Sequence, residues 1–174
     1  MISRWIKTEN DTKALANLQI NPEDLKDDFY DYSKVVVKKP WGYEYLIFVN
    51  ELIAVWILYV KCDAQTSMHC HPHKKTSLIV LEGNVECSSL TESISMKLGQ
   101  GLIIEKGSFH RTKAVSKKGC FVMEIESPVN KHDLVRLKDS YRRVGKGYET
   151  IDKHKFSPNY NYNSLLEYLL FLKF

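Results

Sequence analysis

Between Val35 and Ser127 the chain is a succession of short runs rich in Val, Ile, Leu, Phe and Tyr. Gly-Asn at 83–84, Gly-Gln-Gly at 99–101 and Lys-Lys-Gly at 117–119 interrupt them at intervals of about ten residues. Strands of that length with turns at that spacing predict an all-β sandwich or barrel. The pattern predicts a β-hairpin in which Leu78–Glu82 and Val85–Ser88 flank a Gly83-Asn84 turn. It also predicts an alternating strand over Cys120–Glu126. There Phe121, Met123 and Ile125 share one face, while Cys120, Val122, Glu124 and Glu126 share the other. Two carboxylates thus point the same way.

The flanks have a different texture. Residues 1–34 are polar and predict helices, one near Asp11–Leu18 and a second that Asn21 caps with Pro22 at its first position. Residues 150–174 form a tail in which Ser164 caps an amphipathic helix carrying Leu165, Leu166, Leu169, Leu170 and Phe174. The division is therefore a helical extension (1–34), a barrel (35–149) and a C-terminal tail with a helix (150–174). With 174 residues and 44% apolar content, the whole is one domain with a core of its own.

Charge and apolar runs exclude several classes of function. Twenty-five basic against 21 acidic residues leave +4, and the two signs are interspersed, which is not a nucleic-acid-binding pattern. The longest apolar stretch, Leu52–Val60, is about half of the ~20 residues that a membrane-spanning helix needs, so no membrane partner is expected. The first residues lack the apolar core of a secretory signal. Cys62, Cys70, Cys87 and Cys120 follow no paired spacing, and they are expected to be the thiols of a cytoplasmic protein.

The segment Met68-His-Cys-His-Pro-His-Lys-Lys-Thr76 carries the most distinctive chemistry. His69, His71 and His73 recur with period two, so an extended strand points all three to one side, with Cys70 and Pro72 on the other. Imidazoles converging from one strand, joined by another from elsewhere, make a site for Zn, Mn, Fe, Co or Ni. The candidate from elsewhere is His110, which follows a Lys106-Gly107 turn at the end of Gly99-Gln-Gly-Leu-Ile-Ile-Glu-Lys-Gly-Ser-Phe-His-Arg111.

A His-x-His strand, a Gly at a turn about ten residues on (Gly83), and a second Gly-containing motif ending in His together resemble the cupin superfamily. Further motifs narrow the resemblance. They are Lys39-Pro-Trp-Gly42 with Glu44, Val60-Lys61, Ile104-x-x-Gly107-x-x-His110-Arg111, Asp133-Leu-Val-Arg136 and Asp139-x-Tyr141-x-Arg143. In this order they are similar to the cupin domain of type II phosphomannose isomerases and of sugar cupins in polysaccharide gene clusters. The similarity runs from about Val35 to Glu149.

The resemblance implies a cupin-type double-stranded β-helix, a jelly-roll barrel with its site in the open mouth, and a homodimer. It implies two histidines and a glutamate from the first motif and a histidine from the second. One alignment places His71 and His73 on the two histidines and Thr76 on the glutamate; the wider cupin spacing selects His69 and His71. Glu105 and Ala114 stand where the wider pattern has Pro and Asn, and Arg142 stands where the family has Gly. A carboxylate is the only negative charge in such a ligand shell, and Thr76 removes it. The extra histidine compensates if His69, His71, His73 and His110, or three of them, bind the ion.

The implied activity is metal-dependent isomerisation of a sugar phosphate, of the mannose-6-phosphate isomerase type, or a related step on a sugar in polysaccharide biosynthesis. Such a reaction needs a base, a group to stabilise an enediolate oxygen, and cations for the phosphate. Candidate catalytic residues are Glu124, Tyr141 and Arg143. Candidate substrate-binding residues are Lys61, Arg111 and Arg143, and a basic rim of Lys106, Arg111, Lys113, Lys117 and Lys118 suits an anionic small molecule. The missing glutamate supports one alternative, a non-enzymatic cupin that binds a sugar, phosphate or metal as a partner or regulator. An all-histidine shell supports another, an iron dioxygenase.

Overall fold

In the computed structural model, residues 2–19, 32, 35–144, 148 and the backbone of 153–155 are described. The strands are β1 (Ile2–Trp5), β2 (Val35–Lys39), β3 (Gly42–Val49), β4 (Ala54–Val60), β5 (Met68–Cys70), β6 (Lys75–Glu82) and β7 (Asn84–Ser88). They continue as β8 (Ser93–Lys97), β9 (Gly101–Ile104), β10 (Arg111–Ala114), β11 (Cys120–Ser127), β12 (Val135–Lys138) and β13 (Lys153–Lys155). The helix α1 spans Glu9–Asn17 and starts from a capping box in which Thr8 and Asp11 bond reciprocally.

The strands form two facing walls. One is an eight-stranded sheet in the order β1-β9-β6-β11-β4-β3-β2-β13. The other combines β12-β5 with β10-β7-β8, and isolated bridges at His69↔His110 and Gln65↔Lys113 join its halves. The fold is a double-stranded β-helix, which the strand spacing narrowed to a sandwich or barrel and the family resemblance implied.

Alternation places Leu78 and Val80 of β6 and Cys120 and Val122 of β11 inside, against Val60, Val85 and Leu102. Each buried Val or Leu contributes about 1.5–3 kcal/mol. Toward the other end of the same two strands the inward residues become Thr76, Glu124 and Glu126. The barrel is therefore apolar at its closed end and polar at its mouth. Gly42 lets β3 approach β4, because a Cβ there would lie 1.8 Å from the Tyr59 carbonyl oxygen.

The turn at Gly83-Asn84 exists, but the hairpin does not. Gly83 has φ +78°, and there the chain leaves β6 in one wall and enters β7 in the other. The opening segment carries α1 as expected, and also β1, which pairs in parallel with β9. The helices expected at Asn21–Pro22 and after Ser164 lie outside the described residues. All four cysteines are free thiols; Cys62 is exposed and the other three are buried.

Candidate metal centre and its pocket

His69 and His110 face each other across the second wall. Each backbone N–H donates to the other's carbonyl, at 3.0 Å and 2.8 Å, so both side chains leave the same face. Their ring centroids are 4.4 Å apart, and His71 lies 5.0 Å from His69 and 5.4 Å from His110. One ligand nitrogen from each of His69, His71 and His110 lies within 4.8 Å of the others.

The outer ring nitrogens are all committed. Nδ1 of His69 donates to the Ser67 carbonyl at 2.8 Å, Nδ1 of His110 to the Ser108 carbonyl at 3.0 Å, and Nδ1 of His71 to the Asp133 carbonyl. These bonds fix the tautomer and turn each Nε2 lone pair toward the cluster, the arrangement that second-shell carbonyls impose on ligating histidines. Nε2 of His71 is buried without a hydrogen-bond partner. Burial keeps the three rings neutral, pushing His110 down to about 4 and His69 and His71 well below the usual imidazole range. Three neutral imidazoles with convergent lone pairs, one of them an orphaned buried nitrogen, fit a divalent ion of the Zn, Mn, Fe, Co or Ni type.

His73 does not join them. The strand β5 ends at Cys70, so the period-two alternation stops, and the turn after it directs His73 to Asp133 at 3.0 Å. Asp133 also accepts the backbone N–H groups of His73 and Lys74, and its own carbonyl receives His71. This one buried aspartate thus holds the turn that aims His71. Cys70 points away, packing with Phe109 and Val135 beneath α1 residues Ala14 and Leu15. Thr76 is buried in the barrel, opposite Glu126 on the neighbouring strand.

The pocket beside the cluster, about 60 Å³, is lined by His69, His71, Glu124 and a set of cations, Lys39, Lys74, Lys131, Arg136 and Arg143. Glu124 forms no side-chain hydrogen bond among the described residues. Burial pushes its carboxyl above the usual range against the pull of Lys131, and the charge of Glu126 pushes the same way. The other carboxylates are committed. Glu126 binds Lys74 and accepts the Trp56 indole N–H at 3.0 Å. Glu44 accepts the Tyr148 hydroxyl and faces Lys131 at 3.3 Å and Lys39 at 3.8 Å. Burial would raise Glu44, but Lys131 and then Lys39 hold it at about 2. Lys131 also lies 3.7 Å over the Trp56 ring.

Of the other candidates, Arg143 lines the pocket, clamped by Asp139 at 2.7 Å and 3.0 Å. Tyr141 stands behind it, its ring 5.2 Å from the guanidinium, and packs on the core. Between them Arg142 adopts φ +61°, a left-handed conformation that suits Gly. Lys61 is exposed in the turn after β4, and Arg111, the residue after His110, faces the opposite side of the wall. Neither reaches this pocket. The cations that do reach it include Lys74, Lys131 and Arg136, to which the sequence assigned no role. Lys39, Glu44, Asp133 and Arg136 lie within the motifs of the resemblance, and that was their only signal; Lys74 and Lys131 had none.

Comparison with known proteins supports the fold. The family described as "Mannose-6-phosphate isomerase C-terminal" matches residues 26–139. The xanthan biosynthesis protein XanB of Xanthomonas campestris pv. campestris is 29% identical over 110 residues, 62% of this chain and 24% of that protein. The chain thus spans about a quarter of the length of the curated relatives it matches. Among solved structures, KdgF from Halomonas sp. superimposes with a TM-score of 0.52 at 14% identity, covering 60% of this chain and 96% of that one. An RmlC-like cupin from Shewanella frigidimarina gives 0.50 at 14% identity, covering 60% and 92%. These two likenesses establish the fold.

Proposed function

The chain belongs to the mannose-6-phosphate isomerase C-terminal family of the cupin superfamily, and from that premise we propose that it is a metal-dependent isomerase of a sugar phosphate. The observation that carries the proposal is the convergence of His69, His71 and His110 beside Glu124, a carboxyl with no side-chain hydrogen bond among the described residues. The similarity to a xanthan biosynthesis protein supports a sugar substrate in polysaccharide synthesis. A homodimer forms part of the proposal.

His69, His71 and His110 would hold the ion, which when bound supplies Lewis-acid stabilisation of the enediolate oxygen. Glu124 moves the proton between adjacent sugar carbons. Its raised pKa brings it nearer the operating range of a general base, and its burial excludes competing water. Arg143, held in one orientation by Asp139, and Arg136, across from His69 on β12, bind the phosphate. Lys74 and Lys131 add positive potential, although both remain tied to carboxylates.

The test is turnover. Protein loaded in turn with Zn, Mn, Fe, Co and Ni is offered a panel of hexose phosphates, and isomerisation is followed by NMR. The proposal expects turnover with at least one metal and its loss in Glu124→Gln with metal content unchanged. No turnover under any combination overturns it.

A further inference from the structure

Arg111 faces away from the histidine pocket into a separate groove, and we propose that this groove is a second binding site, for a phosphorylated carbohydrate held by Arg111 and Lys138. Strand alternation sends His110 inward and Arg111 outward, beside Ser88, its partner in the β7–β10 register. On the other flank, an irregularity between Arg136 and Lys138 breaks the alternation of β12. Arg136 pairs with inward-facing His69, while Lys138 pairs with Met68. Met68, Arg111, Lys138 and Ser88 line one groove of about 690 Å³, far larger than the histidine pocket.

Two features suit this groove to an anion carrying hydroxyl groups. The first is charge. The carboxylate of Asp139 is held by Arg143, so among the described residues that line the groove Glu92 is the one other acid beside Arg111 and Lys138. Nε of Arg111 is buried with no hydrogen-bond partner among the described residues, so no protein acceptor engages that nitrogen. The second is the run of hydroxyls from Ser88 to Ser93. The Ser88 hydroxyl is buried and accepts from Ser93 at 2.9 Å, which leaves its own proton to donate. Glu92 supplies an acceptor for a sugar hydroxyl. The far side is braced by the Gln65 amide, which donates to the Ser140 hydroxyl at 3.0 Å. The site stands whether or not the histidines hold a metal.

The test is NMR titration of the isotope-labelled 174-residue chain with glucose 6-phosphate, inorganic phosphate and glucose. Glucose 6-phosphate should bind saturably, shift the resonances of 88–93, 111 and 138, and bind more tightly than inorganic phosphate, while glucose alone should not bind. Arg111→Ala and Lys138→Ala should each weaken binding by about tenfold or more, the loss of one charge-assisted contact. His71→Ala, which disables the histidine site, and Lys117→Ala, which removes a charge elsewhere, should leave it unchanged. Unchanged affinity in Arg111→Ala overturns the site, as does an equal loss in Lys117→Ala or in His71→Ala. Inorganic phosphate binding as tightly as the sugar phosphate overturns the carbohydrate part.

Discussion

Replacing Lys74 by methionine removes the cation from a carboxylate that has no access to water. Glu126 is fully buried and Lys74 is 2% exposed. Breaking a buried pair by removing one partner costs about 3–5 kcal/mol, because the other charge stays behind. Glu126 retains the Trp56 indole at 3.0 Å and Lys131 at 4.0 Å, which places Lys74→Met near the lower end, about 3 kcal/mol. Glu126→Gln leaves the ammonium of Lys74 buried and should cost a similar amount. The double variant removes both charges and keeps an acceptor for Trp56, so it should cost about 1 kcal/mol, with a coupling energy of several kcal/mol between the two sites. Equilibrium urea unfolding with chelator present, at constant m-value, measures all four corners of the cycle. A cost below about 1 kcal/mol for Lys74→Met, or additivity in the double variant, would refute the reading of Lys74 and Glu126 as a coupled buried ion pair.

Three further expectations follow from particular contacts. Glu44 is held at about 2, below its ordinary 4.5, so its contribution is fully present above pH 4.5 and disappears as pH falls through about 2. That contribution is roughly 3 kcal/mol, and Glu44→Gln should flatten the acid limb of a stability-versus-pH curve. Asp133→Ala frees the 71–74 turn and should lower metal affinity about 10–100-fold in competition titrations with a chromogenic chelator, whereas His73→Ala should have little effect. Arg142→Gly relieves a left-handed backbone and should stabilise the protein by up to about 1 kcal/mol in thermal unfolding.

The alternation of β11 was legible in the sequence, but which face lies inside was not. Amphipathic logic would bury Phe121, Met123 and Ile125, yet the barrel encloses Cys120, Val122, Glu124 and Glu126 and leaves Phe121 to pack with Tyr59 outside. The carboxylates are tolerated within because Lys74 and Lys131 come from other segments to meet them, a long-range fact that no local pattern encodes. The histidine motif behaves similarly. Period two correctly grouped His69 with His71, but His73 departs because Asp133, sixty-two residues from the His71 it also holds, captures the turn. Strand spacing announced the barrel, whereas the Gly83 turn gave no sign that β6 and β7 belong to opposite walls.

The central claim is that His69, His71 and His110 form a metal site. The most direct measurement is elemental analysis of protein prepared without a chelating tag, equilibrated with each candidate metal and dialysed, for the native chain and the His71→Ala, His110→Ala and His73→Ala variants. The account predicts one ion per chain in the native protein and in His73→Ala, and none in His71→Ala or His110→Ala. Retention of the ion in those last two variants, or no stoichiometric metal in the native chain, would contradict it.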